Sequence, residues 1–418
     1  MQGRTHRIRG ITWSSIAGLA LAGCQTLAPT PKTVEGTGDP AKDVPALQAA
    51  VDTGGPVVLR GTFDFGERGQ VILRRDVDIS GLEGATIRGG FLAFSSPVPD
   101  VLPPVNPGPR IAIRNLSFTG TLWAPINIGY ASGLVVTGIR VSALRPSPAP
   151  IPGIAGGQMQ AGVLFGMAWA QKDVRTRRYS PGVFTGAVRI ERNEIDVQVA
   201  RPATTLGYGI FGQWTDGVDA IIADNRIRGA SRTAFEVIDH YRDKDGRGRI
   251  VVRRNRLATA NAGIPFPGKQ TPNGILVGYF SDRKAALDPK RAVKMDVVDN
   301  VVETSGANSM GIAVLANDVS VKGNTVTVRG KQSLAIMVAG SGGKVEGNEL
   351  RGTGGVGLVV APFDVLAGSH NRVNGNDFSR LEVGGPQILL GKGSSDNVCE
   401  QNKAVAKVAD QGLNNHCR

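Results

Sequence analysis

One short pattern recurs between Asn193 and Asn402 and constrains the fold more than any other feature of the chain. Eight asparagines each have an apolar residue three positions before and another two positions after. They are Asn193, Asn225, Asn255, Asn300, Asn324, Asn348, Asn376 and Asn402, with successive spacings of 32, 30, 45, 24, 24, 28 and 26 residues. A unit that returns every roughly 20–50 residues is typical of repeat proteins. The chain is therefore predicted to be a solenoid.

The residues inside each unit indicate strands rather than helices. Segments such as Ile250-Val-Val-Arg-Arg, Val319-Ser-Val-Lys and Thr325-Val-Thr-Val-Arg alternate between the two faces of a strand. No convincing helical period is present in the units, which excludes the tetratricopeptide and ankyrin repeats. A unit of 24 residues accommodates about three strands of about 5–6 residues with their turns. The predicted fold class is all-β, a single-stranded parallel β-helix.

The repeated asparagine is expected at the corner between two strands of each coil. Asn tolerates a left-handed backbone conformation at a tight bend better than most residues. Stacked coil on coil, each amide is predicted to hydrogen-bond the next asparagine or nearby backbone, because buried polar groups need partners.

The Gly-Asn and Asp-Asn corners carry a family resemblance. Lys322-Gly-Asn-Thr-Val326, Glu346-Gly-Asn-Glu-Leu350 and Val298-Asp-Asn-Val-Val302 resemble the repeats of right-handed parallel β-helix proteins of the pectate-lyase-like superfamily. The resemblance covers roughly residues 40–417 and implies the right-handed form of the fold. It implies no particular reaction, since that superfamily includes lyases, hydrolases, epimerases and phage tailspikes.

The first residues are typical of an export signal. A basic start is followed by a short apolar run from Ile11 to Ala22, too short to span a membrane. The run ends in Leu21-Ala-Gly-Cys24, which resembles the lipobox of bacterial lipoproteins and implies that Cys24 is lipidated. Gln25, rather than Asp, then favours the outer membrane by the same analogy. The predicted organisation is a signal peptide at 1–24, a flexible tether at 25–40 and the β-helix at 41–418.

Two further cysteines lie near the end of the chain. With Cys24 lipidated, Cys399 and Cys417 are the thiols that remain. In an oxidising compartment a disulfide between them is the simplest pairing, and it would hold the tail over the open end of the solenoid. The alternative is two free cysteines packed as small apolar residues.

One helix is predicted, at residues 43–54, with Asp43 as its N-cap and Gly54 as its stop. Val44, Leu47 and Val51 lie on one face. It resembles the helix that closes the first coil of extracellular β-helices. A solenoid needs such a cap, because its first coil otherwise exposes core and unpaired strand edges.

The net charge favours an anionic partner. The chain has a formal charge of +13. Removing the three arginines of residues 1–24 leaves 45 basic and 35 acidic residues, or +10. A basic surface attracts acidic polysaccharides, nucleic acids and anionic lipids, although solubility alone is an equal explanation of the charge.

Long connections interrupt the repeat before residue 300. Residues 169–184, 214–219, 240–249 and 279–294 all follow the second strand of a coil, so they are expected on one side of the solenoid. Basic and aromatic residues accumulate in them. Guanidinium groups bind carboxylate or sulfate in bidentate fashion, and flat rings stack on sugars. The predicted binding residues are Trp169, Arg177, Arg178, Trp214, Arg242, Tyr279 and Arg283. The alternative is that the rings merely cover the coils and the charges keep these connections soluble.

The best catalytic candidate lies in the same region. In Phe235-Glu-Val-Ile-Asp-His-Tyr241 the alternation points Glu236 outward, and Asp239, His240 and Tyr241 follow at the end of the strand. A carboxylate, an imidazole and a phenol share acid and base roles well. Lys244 and Arg247 are candidates for a base or a carboxylate neutraliser. A purely structural hydrogen bond at the corner explains Asp239 and His240 at least as well.

These features favour an envelope lipoprotein, in the outer membrane and facing the periplasm or the cell surface, that binds an acidic polysaccharide. It would cleave or epimerise the glycan as a lyase, glycoside hydrolase or epimerase. The alternative is a non-catalytic scaffold, adhesion or assembly module. Nucleic acid is not expected as a partner, and nothing predicts the oligomeric state. No cofactor or metal motif is found; a calcium site of Asp216, Asp219 and Asp239 has weak support.

Overall fold

The computed structural model describes residues 30–96, 107–147, 158–168, 180–181, 183–184, 186–199, 205–213, 218–239, 248–259, 273–279, 294–363 and 366–418. The chain divides into two units, Met1–Thr30 and Pro31–Arg418, and every element described here belongs to the second. Within the described residues, no helix is long and apolar enough to cross a membrane.

Three long parallel sheets form the body of this second unit. Sheet A has 14 strands, sheet B has 11 and sheet C has 12, and each sheet runs from strand to strand in chain order. Each regular coil contributes one strand to each sheet in the order A, B, C. The fold is therefore the predicted right-handed parallel β-helix with three strands per coil.

The strands of sheet A are β1 (Lys32–Glu35), β2 (Gly55–Arg60), β5 (Val77–Gly81), β8 (Arg110–Arg114), β12 (Gly133–Thr137), β18 (Val188–Glu191), β21 (Ala220–Ala223), β24 (Arg249–Arg253), β27 (Lys294–Val298), β30 (Ser320–Lys322), β33 (Lys344–Glu346), β36 (Arg372–Asn374), β39 (Val398–Glu400) and β41 (His416–Cys417).

The strands of sheet B are β3 (Thr62–Asp64), β6 (Thr86–Arg88), β9 (Ser117–Thr119), β13 (Arg140–Ser142), β19 (Glu194–Asp196), β22 (Arg226–Ala230), β25 (Arg256–Thr259), β28 (Val301–Ser305), β31 (Thr325–Arg329), β34 (Glu349–Gly354) and β37 (Asp377–Val383).

The strands of sheet C are β4 (Gln70–Ile72), β7 (Leu92–Ser96), β10 (Ala124–Ile128), β14 (Gln158–Phe165), β20 (Thr205–Gln213), β23 (Thr233–Asp239), β26 (Asn273–Tyr279), β29 (Met310–Leu315), β32 (Leu334–Ala339), β35 (Val356–Val360), β38 (Ile388–Leu390) and β40 (Val408–Asp410). Two small pairs complete the strands: β11 (Tyr130–Ala131) is parallel to β17 (Val183–Phe184), and β15 (Met167–Ala168) is antiparallel to β16 (Ser180–Pro181).

The apolar residues around each repeated asparagine form the core. The residues three positions before, from Ile190 to Cys399, are all buried in sheet A. The residues two positions after are buried in sheet B as far as Phe378. Ala404 is the exception and is exposed, because sheet B ends at β37 and no sheet B strand follows Asn402.

The asparagines form a continuous hydrogen-bonded ladder between sheets A and B. The Asn324 side-chain amide donates to Asn348 Oδ1 at 2.9 Å, and the Asn324 backbone N–H donates to the same oxygen at 2.9 Å. The same amide also donates to the Val297 carbonyl at 2.8 Å. Equivalent amide bonds link all eight asparagines from Asn193 to Asn402. The predicted ladder is confirmed.

The left-handed backbone conformation falls one residue earlier than predicted. None of the eight asparagines has a positive φ, whereas the residue before each does, from Arg192 at 57° to Gln401 at 54°. The bend must precede the asparagine, because the Asn side chain turns inward to join the ladder. Glycine at 323, 347 and 375 suits this conformation.

The capping helix is confirmed but starts earlier than predicted. Helix α1 spans Pro40–Asp52, and its N-cap is Asp39, which accepts a hydrogen bond from the Ala41 N–H. Asp43, predicted as the cap, is instead buried in the helix. Its carboxylate accepts hydrogen bonds from the backbone N–H groups of Thr37, Gly38 and Asp64 at 2.8–3.0 Å, and so it ties the entry segment and the first coil to the helix.

At each end of sheet A, the last strand comes from a segment outside the regular coils, β1 at one end and β41 at the other. Lys32–Glu35, predicted as part of a flexible tether, pairs with β2 in register, so the compact unit begins before residue 41. At the other end, Cys399 pairs in register with Cys417, and the two form the predicted disulfide across β39 and β41.

Candidate functional site

The candidate site is the outer face of sheet C between β10 and β29. In these strands Phe235 and its register partners point into the core, so the residues after them point outward. These residues form the second of two outward rows and are Asn127, Leu164, Phe211, Glu236, Leu276 and Ala313. The first row stands two positions before the core residues and holds Ala161, Tyr208, Thr233, Asn273 and Met310. It lies on the same side at Tyr208 and Thr233, because these side chains contact Phe211 and Glu236.

An apolar cluster separate from the core covers the earlier part of this face. Its aromatic members include Trp123, Tyr208 and Phe211. The Tyr208 and Phe211 rings lie 4.5 Å apart, centroid to centroid, which joins the two outward rows within one strand. The Phe91 and Trp123 rings lie 5.4 Å apart on the same side. This face is therefore rich in rings, although they are buried in this structure.

Burial of the outer face changes along the solenoid. The second row is buried from Asn127 to Ala313, whereas Met337 and Val359, its continuation on β32 and β35, are only half-buried. The covered part includes the coils that have long connections, with one further strand, β29, after them. Residues 214–217, 240–247 and 280–293 each lie between a sheet C strand and the next sheet A strand, as predicted from the spacing of the repeat.

Glu236 lies in the middle of the covered part. Phe235 and Val237 on either side of it belong to the core and Glu236 does not, as the alternation predicts. The prediction did not anticipate that it is only 6% exposed. The Thr233 hydroxyl, in the first row of the same strand, donates to Glu236 Oε2 at 2.9 Å. The Thr233–Glu236 contact thus repeats, in polar form, the Tyr208–Phe211 contact of the preceding strand.

Burial raises the pKa of the Glu236 carboxyl above its usual value. The positive charge of Arg232 and the hydrogen bond from Thr233 both favour the carboxylate, but they do not offset the desolvation. Arg232 is itself buried, and its carbonyl accepts a hydrogen bond from the Asn273 N–H at 2.9 Å. A carboxyl whose pKa is raised by burial is better suited to proton donation than an exposed one.

Two other predicted site residues lie beside Glu236. Asp239 is the last residue of β23 and pairs in register with Tyr279, the last residue of β26. The fold therefore brings Glu236, Asp239 and Tyr279 onto two neighbouring strands. Their backbone positions are described, but the side chains of Asp239 and Tyr279 are not.

The remaining predicted site residues lie outside the described part of the chain. These are Trp169, Arg177, Arg178, Trp214, His240, Tyr241, Arg242, Lys244, Arg247 and Arg283, together with Cys24. Of the suggested calcium ligands, Asp219 accepts a hydrogen bond from the Arg249 N–H at 3.0 Å, and Asp216 lies outside the described residues. The described residues contain no cluster of three or more His, Cys, Asp or Glu side chains arranged for a metal.

Sequence reasoning missed Thr233, Arg232 and the apolar cluster. A signal was present: aligning the strands places Tyr208 and Phe211 beside Thr233 and Glu236 with the same three-residue spacing. It also missed a second, shorter ladder, in which the Asn371 and Asn397 amides donate to Asn397 and Asn415 at 3.0 and 2.9 Å.

Comparisons with known proteins find likeness in solved structures alone. No family model and no curated protein matches the chain. The Azotobacter vinelandii mannuronan C-5 epimerase AlgE6 A-module is 14% identical, with a TM-score of 0.46 over 86% of this chain and 94% of that one. PfbA, a surface adhesin of Streptococcus pneumoniae, is also 14% identical, with a TM-score of 0.46 over 93% and 91%.

A mannuronic acid specific polysaccharide family 6 lyase enzyme from human gut microbiota is 11% identical, with a TM-score of 0.36 over 91% of this chain and 82% of that one. At such identities the likeness concerns the fold. It assigns no reaction and no ligand to this chain.

Proposed function

We propose that the protein is a lipid-anchored envelope protein that binds an acidic polysaccharide on the outer face of sheet C. The observation that carries this proposal is the match between three features of one face: the long connections, the ring-rich outer rows and the buried carboxyl of Glu236. Elsewhere, as on β32 and β35, the outer row of sheet C is partly open and has no such features.

The geometry of the face suits a linear polymer. Successive parallel strands lie about 4.8 Å apart, so the outward rows repeat at this interval along the solenoid axis. An extended glycan lying along the axis would present successive sugars to successive coils. The predicted binding arginines, Arg177, Arg178, Arg242 and Arg283, follow sheet C strands in the sequence, and guanidinium groups are suited to bidentate binding of carboxylates.

The proposal assigns proton donation to Glu236. Its carboxyl has a raised pKa, and cleavage or epimerisation of a uronate both need a positioned acid. Because Glu236 is buried, a sugar reaches the carboxyl only if the covering residues move apart. Binding is therefore the primary activity of the proposed site, and turnover depends on this opening.

Substitution of Glu236 tests this assignment. Glu236→Gln keeps the size of the side chain and the Thr233 contact but removes the acid, so we expect glycan binding to persist and turnover to fall by about 10²-fold or more. Uronate-containing, sulfated and neutral glycans would be incubated with the protein, with products followed by mass spectrometry. Glu303→Gln, on the exposed side of sheet B, is the matched control. Unchanged turnover in Glu236→Gln would refute the catalytic role.

A non-catalytic adhesion or scaffold function is the second candidate. The apolar cluster around Trp123, Tyr208 and Phe211 favours it, because these rings are packed against one another instead of being open to a ligand. This function predicts glycan or protein binding without product formation from any member of the panel.

The membrane anchor has its own test. Lipidation of Cys24 would attach the chain to the envelope through its N-terminal residue after cleavage. We expect a fatty-acid label to enter the wild-type protein and not Cys24→Ser, and the variant to be released from the membrane fraction. Labelling of Cys24→Ser to the wild-type level would exclude this anchor.

A further inference from the structure

The outer face of sheet B contains an open groove that the proposed function does not use. It has a volume of about 390 Å³ and crosses five strands, from β6 to β22. Four hydroxyl side chains line its first half: Thr86, Ser117, Thr119 and Ser142. Five strands at about 4.8 Å spacing give the groove a length of about 19 Å along the axis.

Charged side chains line the second half of the groove. Glu194 and Asp196 are both matched by arginines: Arg140 lies 3.6 Å from Glu194, and Arg228 lies 2.7 Å from Asp196. Arg226 is the register partner of Glu194 on the other side from Arg140, but the described residues give Arg226 no ion pair and no side-chain hydrogen bond. Three arginines of the groove thus face two carboxylates. The groove therefore has an excess of positive charge at this end.

A second arginine increases this excess. Arg256, on β25, is the direct register partner of Arg226 on β22, and both side chains are exposed. Arg256 likewise has no ion pair among the described residues. Like charges directly opposite each other on neighbouring strands destabilise a sheet. The next residue in this row, Val301, provides no counter-charge.

We propose that Arg226 and Arg256 form an anion-binding site at the end of the sheet B groove, and that the groove takes a linear, hydroxyl-rich polymer with sulfate or carboxylate groups. Two guanidinium groups side by side bind such a group with charge-assisted hydrogen bonds. The hydroxyls of Ser117, Thr119 and Ser142 pair with the polar groups of the adjoining residues of the polymer.

The length of the groove favours a polymer over a lipid headgroup. A headgroup would occupy the two arginines and leave the hydroxyl-lined part, about three strand spacings away, without a ligand. The site lies on a different sheet from Glu236, so it is independent of the proposed function. It adds a second contact surface for a glycan of similar charge.

The test uses a linear dextran sulfate oligosaccharide, with neutral dextran of equal length as the control ligand. Arg226→Gln/Arg256→Gln should bind the sulfated chain about tenfold more weakly than the wild type in calorimetry at low salt. The matched control is Arg189→Gln, an exposed arginine on sheet A with no ion pair among the described residues, which should bind as the wild type does.

Folding of the double variant is checked by its melting temperature. Without ligand it should equal or exceed that of the wild type, because the repulsion between the two arginines is gone. Unchanged affinity in the double variant, an equal loss in Arg189→Gln, or equal binding of neutral dextran would overturn the proposal. So would Arg226-dependent binding to phosphatidylglycerol vesicles without binding to the sulfated chain. Arg242→Gln/Arg283→Gln, which removes two arginines assigned to the proposed function, should leave intact the binding that the Arg226/Arg256 variant loses. This result distinguishes failure of the sheet B site from failure of the proposed function.

Discussion

The most informative single residue is Glu236, because its burial makes the free energy of unfolding depend on pH. A carboxyl with a raised pKa in the folded state binds its proton more tightly there than in the unfolded chain. Its contribution therefore favours folding at low pH and is lost as pH rises from the usual value of 4.5 through the folded pKa.

We expect Glu236→Gln to remove this dependence. At pH above the folded pKa the variant should be more stable than the wild type, and near pH 4 the difference should vanish. Urea unfolding across pH 4–8 measures both. Other carboxyls have the opposite slope, since Arg351 lowers the pKa of Glu349 and Arg254 lowers that of Asp224. The difference between variant and wild type isolates Glu236; a constant difference over this range would contradict the burial argument.

The ladder asparagines stabilise the fold through specific buried hydrogen bonds. Asn324→Ala removes the acceptor of the Asn300 N–H and the donor to the Val297 carbonyl. Asn348 Oδ1 loses one of its two donors and keeps the backbone N–H of residue 324. Each unsatisfied buried group costs about 1–3 kcal/mol, so we expect a loss of about 2–4 kcal/mol in the free energy of unfolding. Asn374→Ala, half-buried on the outer side of sheet A, should cost less than about 1 kcal/mol. Equal losses by chemical denaturation would show that the ladder adds no special stability.

Among the elements of the fold, the corner before each ladder asparagine requires a residue with a positive φ. Gly347 has a φ of 60°, and a Cβ at this position would meet no atom within 4 Å. Gly347→Ala should therefore cost about 1 kcal/mol through backbone strain alone. Gly384→Ala is the matched control, because its surroundings are equally open and its φ is not positive. The control should be neutral or slightly stabilising, and an equal cost at both positions, measured by thermal melting, would refute the strain argument.

The strand that closes the C-terminal end depends on the disulfide. Cys399 and Cys417 are 18 residues apart and link β39 to β41. A loop of this size gives about 3 kcal/mol of stabilisation. Because a solenoid unit contacts only its neighbours, Cys399→Ala/Cys417→Ala should increase hydrogen exchange in β36 to β41 and leave β5 to β14 protected. Uniform loss of protection over all coils would contradict local coupling.

The elements that could be predicted from the sequence are those defined by repetition. The alternation around Asn324 predicts the strands and the core residues of its coil. The alternation of Phe235, Glu236 and Val237 predicts that Glu236 points outward. The N-cap of α1 is Asp39, four residues before the predicted Asp43. Asp43 matches a capping residue by type, but its carboxylate binds Thr37, Gly38 and Asp64 through tertiary contacts. Burial of Glu236 was missed for a similar reason: it depends on what other coils place over the outer face.

At the level of the whole molecule, the basic charge and the two candidate faces lead to one prediction about partners. After removal of residues 1–24 the chain has a net charge of +10, from 45 basic and 35 acidic residues. An acidic glycan that binds the folded state but not the unfolded chain raises the melting temperature, and the increase grows with the logarithm of the ratio of its concentration to its Kd. If carboxylate–arginine contacts supply that affinity, salt must weaken it, because the screening length falls from about 10 Å at 0.1 M salt to about 3 Å at 1 M.

We therefore expect polyuronate to raise the melting temperature at low salt, with the increase fading between about 0.05 and 1 M salt. Neutral glycans of equal length should give no shift at any salt concentration. Arg242→Gln/Arg283→Gln should reduce the polyuronate shift, whereas Arg189→Gln, which removes one positive charge from sheet A, should not. Differential scanning fluorimetry with the mature chain measures all of these shifts. A shift that is independent of salt, or one that neutral glycans reproduce, would show that the basic charge serves solubility and does not recognise the glycan.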